Sequence, residues 1–264
     1  MNMHVPSPGR LGSGAIAVAL AGVIASAPVR GADNPRQIVE EAQRRTRAAS
    51  ERYEGTLEVF DAKNKVSTKR WTFERLGAHG ESKSVIRFTA PAEVKGVALL
   101  IVNHPDRASD QWMWTPAIER DRRIALQDRS TRFFGTDFSF EDLEERDVNQ
   151  YSYSLEGEDV LDGAAFWRIE STPLKTKSSQ YTRAILWIRH ADYAIARIEN
   201  YAKDKIVRRL SYSNIENVQG ILTARQLEMT DLVRGSRTRL SLENLQYNAP
   251  LKDESFTLQA LRRQ

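Results

Sequence analysis

Few residues in this sequence have the types and spacing that chemistry requires. Apart from His4 near the start, histidines stand only at 79, 104 and 190. His79 lies in "GAHGES", which reads as a hairpin turn. His104, with Asp106 and Ser109 close by, brings together the residue types of a nucleophilic triad, but a triad is defined by geometry and these residues crowd one turn. The 264 residues include no cysteine, and no histidine pair has zinc-ligand spacing. Asp137, Glu141 and Asp142 could serve as paired carboxylates or hold a hard cation, although helix capping accounts for them more simply. A glycine-rich phosphate loop and a nucleophile elbow are both missing. The expectation is a protein with no catalytic residues, no metal and no cofactor, not an enzyme.

Residues 1–31 carry two of the 39 Lys and Arg, Arg10 and Arg30, and none of the 35 acids. Within them "GSGAIAVALAGVIASA" (12–27) suits the apolar region of a secretory signal peptide and is short for a membrane span. We expect residues 1–31 to be a signal peptide that is removed. Residues 32–264 would then be one soluble domain in the periplasm, near charge balance and without a disulfide framework. In that compartment the arginines at 120, 122, 123, 129 and 132 have lipid headgroups or acidic proteins as phosphate or carboxylate partners, rather than nucleic acid. Arg120, Arg122 and Arg123 are therefore a candidate docking strand. The alternative is that these arginines cover an edge strand and pair with the acids of 119–145.

The elements that must position these groups are mostly strands. "DNPRQIVEEAQRRTRAAS" (33–50) predicts one amphipathic helix, capped by Asp33 or Asn34, with Ile38, Val39, Ala42, Thr46 and Ala49 at helical spacing. From Tyr53 the period becomes two. Trp71 and Phe73 share a face opposite Arg70, Thr72 and Glu74, and Trp112 and Trp114 lie side by side. Ile185 and Trp187 oppose Leu186 and Ile188. Val97 to Val102 is apolar throughout, so both faces of that strand must be covered. Ser139 and Asp142 have the form of a capping box, which predicts a short helix over 140–145. Ten to twelve antiparallel strands in one domain account for the rest.

The unusual residues are apolar. "TRFFGTDFSFEDL" (131–143) places four phenylalanines around one glycine, and in a strongly bent sheet Trp71, Phe73, Phe88, Leu100, Trp112, Trp114, Trp167 and Trp187 could line an apolar cavity beneath that segment. They could equally fill the core completely, since a buried aromatic contributes its area with or without a ligand. If the cavity is open, each acyl methylene taken from water is worth about 0.8 kcal/mol.

The arrangement of "FTAPAEVKGVALLI" (88–101), "WMWTPAIERDRRI" (112–124), "FFGTDFSFEDL" (133–143) and "YAIARIENY" (193–201) resembles the exported outer-membrane lipoprotein-sorting family, relatives of the periplasmic lipoprotein carrier. The resemblance spans about residues 50–250. It implies a mainly β fold with some α: an unclosed antiparallel barrel of about eleven strands, with helices over its mouth. By the same carry-over Pro91 and Gly96 shape the turn before the central strand, Trp114 and Pro116 lead into the arginine strand, and Gly135, Asp137, Phe138, Asp142 and Leu143 build the insert; Phe133, Phe134, Gly135, Asp137, Phe138, Phe140 and Leu143 are the candidate lid. The implied function is a monomeric carrier of lipoprotein or lipid acyl chains. It would make transient membrane-surface contact and exchange cargo with an inner-membrane transporter and an outer-membrane acceptor. The rival expectation is a non-enzymatic envelope scaffold with a self-filled core and a basic docking strand.

Overall fold

The computed structural model describes residues 1–3, 34–78 and 80–263, so the rest of the expected leader and the turn at His79 lie outside the described residues. Asn34 caps α1 (Pro35–Arg45), its side-chain oxygen accepting from the Arg36 and Gln37 N–H groups at 3.0 and 3.4 Å. Pro35 fits the first turn, where its missing N–H would have no helical partner. Ile38, Val39 and Ala42 are the buried stripe, and Thr46 and Ala49 fall past the helix end.

The first half of the sheet runs β1 (Ser50–Phe60), β2 (Val66–Ala78), β3 (Glu81–Ala90), β4 (Ala98–Val102), β5 (Asp110–Thr115) and β6 (Arg120–Arg123). The second runs β7 (Tyr151–Leu161), β8 (Ala164–Pro173), β9 (Arg183–Arg189), β10 (Ile195–Ala202), β11 (Lys205–Val218), β12 (Ile221–Asp231) and β13 (Ser236–Tyr247). The order is β6-β5-β4-β3-β2-β1-β13-β12-β11-β10-β9-β8-β7, antiparallel throughout. It is a meander whose first and last strands pair in the middle, leaving β6 and β7 as unjoined edges. This is the expected unclosed barrel, with thirteen strands instead of about eleven. Asp162-Gly163 and Gln219-Gly220 divide long runs, each with positive φ at both positions, as tight two-residue hairpins require.

Alternation sorts side chains to two faces. Inside the first half, Leu57, Trp71, Ile86, Phe88, Leu99 and Ile101 form one buried cluster with Leu240 of β13, Phe133 and Phe140. Inside the second half, Trp167, Ile169, Leu186, Ile188 and Ile198 pack under α1. Outside, Ala98, Leu100 and Trp114 are covered by Phe256 and by Leu261 of α2 (Leu258–Leu261). That C-terminal turn is the cover that the two-faced strand β4 demands.

One backbone position sets how tightly the inner cluster closes. Gly55 of β1 lies opposite Trp71, and a methyl added there would stand 2.1 Å from the indole Nε1 and 2.9 Å from Leu240 Cδ1. Gly55→Ala is expected to cost about 1–3 kcal/mol. The check is a lower urea midpoint with an unchanged slope; an unchanged midpoint would mean that the indole moves aside without cost.

Candidate functional site

Between the two halves lies a cavity of about 370 Å³. Its apolar wall includes Tyr53, Phe73, Leu143, Leu227, Leu240 and Leu242, with Tyr53 and Phe73 stacked at 4.8 Å between ring centroids. Its polar end holds Glu51, Arg75 and Glu145. Arg75 continues the inner face of β2 two residues beyond Phe73, which is why a guanidinium stands at the end of an apolar wall. It meets Glu51 at 3.0 Å and Glu145 at 3.8 Å. Burial pushes the Glu51 carboxyl above its ordinary value, and Arg75 opposes that shift.

A second cavity, of about 220 Å³, shares Thr46, Glu144, Glu145, Ile195 and Tyr212 with the first. Its lining is more polar and includes Glu141, Asp142, Arg146, Lys177, Tyr181 and Asn200.

Residues 124–150 connect the two free edges and form part of both cavities. Arg132 bridges Ser139, and Phe133 N–H donates to Phe138 O at 2.8 Å, so the segment folds into a small hairpin. Its tip is Phe134-Gly135, both at positive φ, with Gly135 exposed and open space where a Cβ would point. Fully buried Asp137 ties the hairpin to β13 by accepting from the hydroxyls of Ser236 and Thr238, the latter at 2.7 Å. Ser139 and Asp142 cap each other reciprocally at 2.7 and 3.3 Å, although the helix they start is a single 3₁₀ turn, Glu141–Leu143, shorter than expected. After it, Glu144 accepts from Arg129 and Gln111 at 2.9 Å and pairs with Lys177. Asp142 pairs with Arg208 and accepts from the Tyr181 hydroxyl.

The residues proposed from sequence to line a cavity divide between the faces. Trp71, Phe88, Phe133 and Phe140 pack on one another inside, with Phe88 and Phe133 stacked at 5.3 Å, and Phe134 meets Phe88 edge-on at 5.6 Å. Phe138 is also buried. Trp167 lies under α1, stacked on His190 at 3.9 Å. Leu100, Trp112 and Trp114 face outward against the C-terminal segment, and Trp187 faces outward with Phe166 and Ile185, donating to Asp159 at 3.0 Å. Phe73 and Leu143 line the larger cavity itself. Sequence reasoning missed the apolar wall residues Tyr53, Leu227, Leu240 and Leu242 and, among the polar groups, Arg75, Arg146 and Asn200. For Arg75 and Asn200, continuing the inner period-two face past Phe73 and past Ile198 would have found them.

Among the arginines, Arg123 pairs with Asp110 and lies 5.9 Å from the Trp112 ring, Arg122 reaches Asp128 at 3.4 Å, and Arg120 is exposed. Asp110 also accepts from Arg107 at 2.7 Å and meets His104 Nε2 at 3.0 Å, while the buried Ser109 hydroxyl has no hydrogen-bond partner. His104 therefore stands in the Asp110 and Arg107 cluster, and the Ser109 hydroxyl is not hydrogen-bonded to it. Burial alone would raise the Asp110 carboxyl, but Arg107, Arg123 and His104 together hold it well below the carboxylate range. A depressed folded-state value gives stability that is present above the unfolded value of about 3.9 and lost as pH falls below it. Asp110→Asn should accordingly flatten the fall in stability below about pH 4, read from thermal unfolding at several pH values. Among the described residues, no group of three or more His, Cys, Asp or Glu is placed to hold a metal ion.

The profile of a protein family described as "Uncharacterized protein" matches residues 80–263. No curated protein sequence matches the chain. Its fold is similar to a domain from Vibrio parahaemolyticus described as an outer membrane lipoprotein-sorting protein, with 25% identity, a TM-score of 0.82, and coverage of 87% of this chain and 98% of that one. A DUF1329 family protein from Desulfovibrio piger shares 28% identity at a TM-score of 0.81 over 86% of this chain and 97% of that one. A LolA superfamily protein from Nitrosomonas europaea, 19% identical, matches in fold at a TM-score of 0.70 over 87% and 100%. The chain has the architecture of the lipoprotein-sorting superfamily at a distance.

Proposed function

We propose that this chain, which belongs to the family whose profile spans residues 80–263, is a periplasmic carrier that holds acyl chains non-covalently and moves them between membranes. The observation that carries the reading is the 370 Å³ cavity inside an unclosed barrel, walled by Tyr53, Phe73, Leu227, Leu240 and Leu242. Ligand pockets start at about 300 Å³, and ten methylenes taken from water would contribute roughly 8 kcal/mol. The likeness to a lipoprotein-sorting domain supports the same reading. The segment 133–143 is the candidate lid, because Leu143 touches the cavity and Gly135 at the hairpin tip is exposed. Arg120, Arg122 and Arg123 are the candidate contact for a transporter, an acceptor or a membrane surface. No helix among the described residues is long and apolar enough to cross a membrane.

The test is native mass spectrometry of protein purified from its own envelope, with the lipids identified after extraction, alongside titration with a fluorescent acyl probe. Leu227→Trp fills the wall and should weaken probe binding at least tenfold while the protein stays folded. If no acyl species co-purifies and the probe fails to bind the wild type, the carrier reading falls and the self-filled scaffold takes its place.

A further inference from the structure

The smaller cavity contains polar groups that the fold itself leaves without matching partners. Arg146 donates to Ser171 Oγ at 2.9 Å and lies over the Tyr151 ring, 4.2 Å from its centroid. Among the described residues no carboxylate stands within ion-pairing distance of it. Burial acts most strongly on its charge and opposes it, while Tyr151, Tyr153, Tyr212 and, more weakly, Glu141 favour it. Burial raises the Tyr153 and Tyr212 phenols to about 12, so they stay protonated around the guanidinium and can donate. A half-buried cation among neutral hydroxyls is a receptor for an anionic oxygen.

Asn200 presents the complementary need. It is 5% exposed, lines the same cavity from the inner face of β10, and its Oδ1 has no hydrogen-bond partner. That oxygen has almost no accessible surface, so a ligand donor meets it once the amide turns toward the cavity, and there it finds an acceptor whose burial unmet is costly to the fold. Nearby, Glu141 accepts from the Ser179 hydroxyl and from Gln180 N–H at 2.8 Å, with no cation hydrogen-bonded to it. The other carboxylates of the lining already have cations: Asp142 has Arg208, Glu144 has Arg129 and Lys177, and Glu145 has Arg75. A purely anionic ligand would satisfy Arg146 and leave Asn200 and Glu141 facing negative charge. A ligand carrying one anion and one cationic donor satisfies all three.

We propose that the smaller cavity is the headgroup subsite for a zwitterionic acyl phospholipid of the phosphoethanolamine class, with its phosphate at Arg146 and its ammonium at Asn200 and Glu141. The chains would extend past Tyr212, which both cavities share, into the larger one. This assignment rests on the carrier reading and adds the chemistry of the head.

The experiment displaces a fluorescent hydrocarbon probe, which has no headgroup, with phosphatidylethanolamine, phosphatidylglycerol or diacylglycerol of the same acyl chains. It is run on the wild type, Arg146→Met and Asn200→Leu. The wild type should prefer phosphatidylethanolamine to diacylglycerol at least tenfold, and either substitution should reduce that preference to about twofold while probe affinity is kept. Asn200→Leu removes an unmet polar atom, so it should fold even if Arg146→Met does not. A wild type that fails to bind the probe overturns the carrier reading itself. Probe binding with equal displacement by all three lipids, or an unchanged preference in both variants, overturns the subsite alone. Equal preference for phosphatidylglycerol, lost in Arg146→Met and kept in Asn200→Leu, overturns the ammonium assignment.

Discussion

Glu144→Ala is expected to destabilise the protein by about 3–5 kcal/mol, because it leaves two cations in the interior without their shared anion. Arg129 and Lys177 reach Glu144 from opposite sides, and their side chains are 6% and 3% exposed. Gln111 loses an acceptor in the same change. At roughly 2–4 °C per kcal/mol for a chain of this length, the melting temperature should fall by roughly 6–20 °C. Lys177→Met is the informative comparison, since it keeps the Arg129–Glu144 pair and should cost much less. Equal losses in the two variants would show that packing around 144 and 177, rather than charge, sets the effect.

Phe133→Ala is expected to cost a similar amount, about 3–5 kcal/mol. Phe133 is fully buried and meets Trp71, Phe88, Phe134 and Phe140 within 6.3 Å between ring centroids. Removing the ring deletes the anchor by which the candidate lid docks into the barrel. If residues 133–143 open during cargo exchange, the variant should also release the acyl probe faster, by stopped flow, than Gly55→Ala, which strains the same cluster from the sheet side. Faster melting without faster release would assign this segment to the core and not to a lid.

The alternation of the strands was legible because period two is a local property. Trp71 with Phe73, Trp112 with Trp114, and Ile185 with Trp187 share faces as the residue types indicate. Alternation does not say which face is inside. Leu100, Trp112, Trp114 and Trp187 are as apolar as Trp71 and Phe88, and their outward direction follows from the curvature of the sheet and the cover given by Phe256 and Leu261. The polar half of the site was hidden for a different reason. Glu144 meets Arg129 and Lys177 from 15 and 33 residues away, and Asp142 meets Arg208 across 66. No local spacing marks such partners, whereas the Ser139–Asp142 cap, three residues apart, could be read directly.

The pairing of β1 with β13 has a kinetic consequence. Every other ladder joins strands that follow one another along the chain, while this one joins Glu51 to Tyr247 and Phe60 to Arg237. Ladders of that sequence separation form late and slowly, since loop closure must precede the contacts that reward it. Until β13 has been made, β1 presents an unpaired edge beside an already complete β1–β6 meander, and such an edge recruits other chains. The window for self-association therefore lasts from the emergence of β1 to the emergence of the final strand. A chain ending after Asp231 would never close that window.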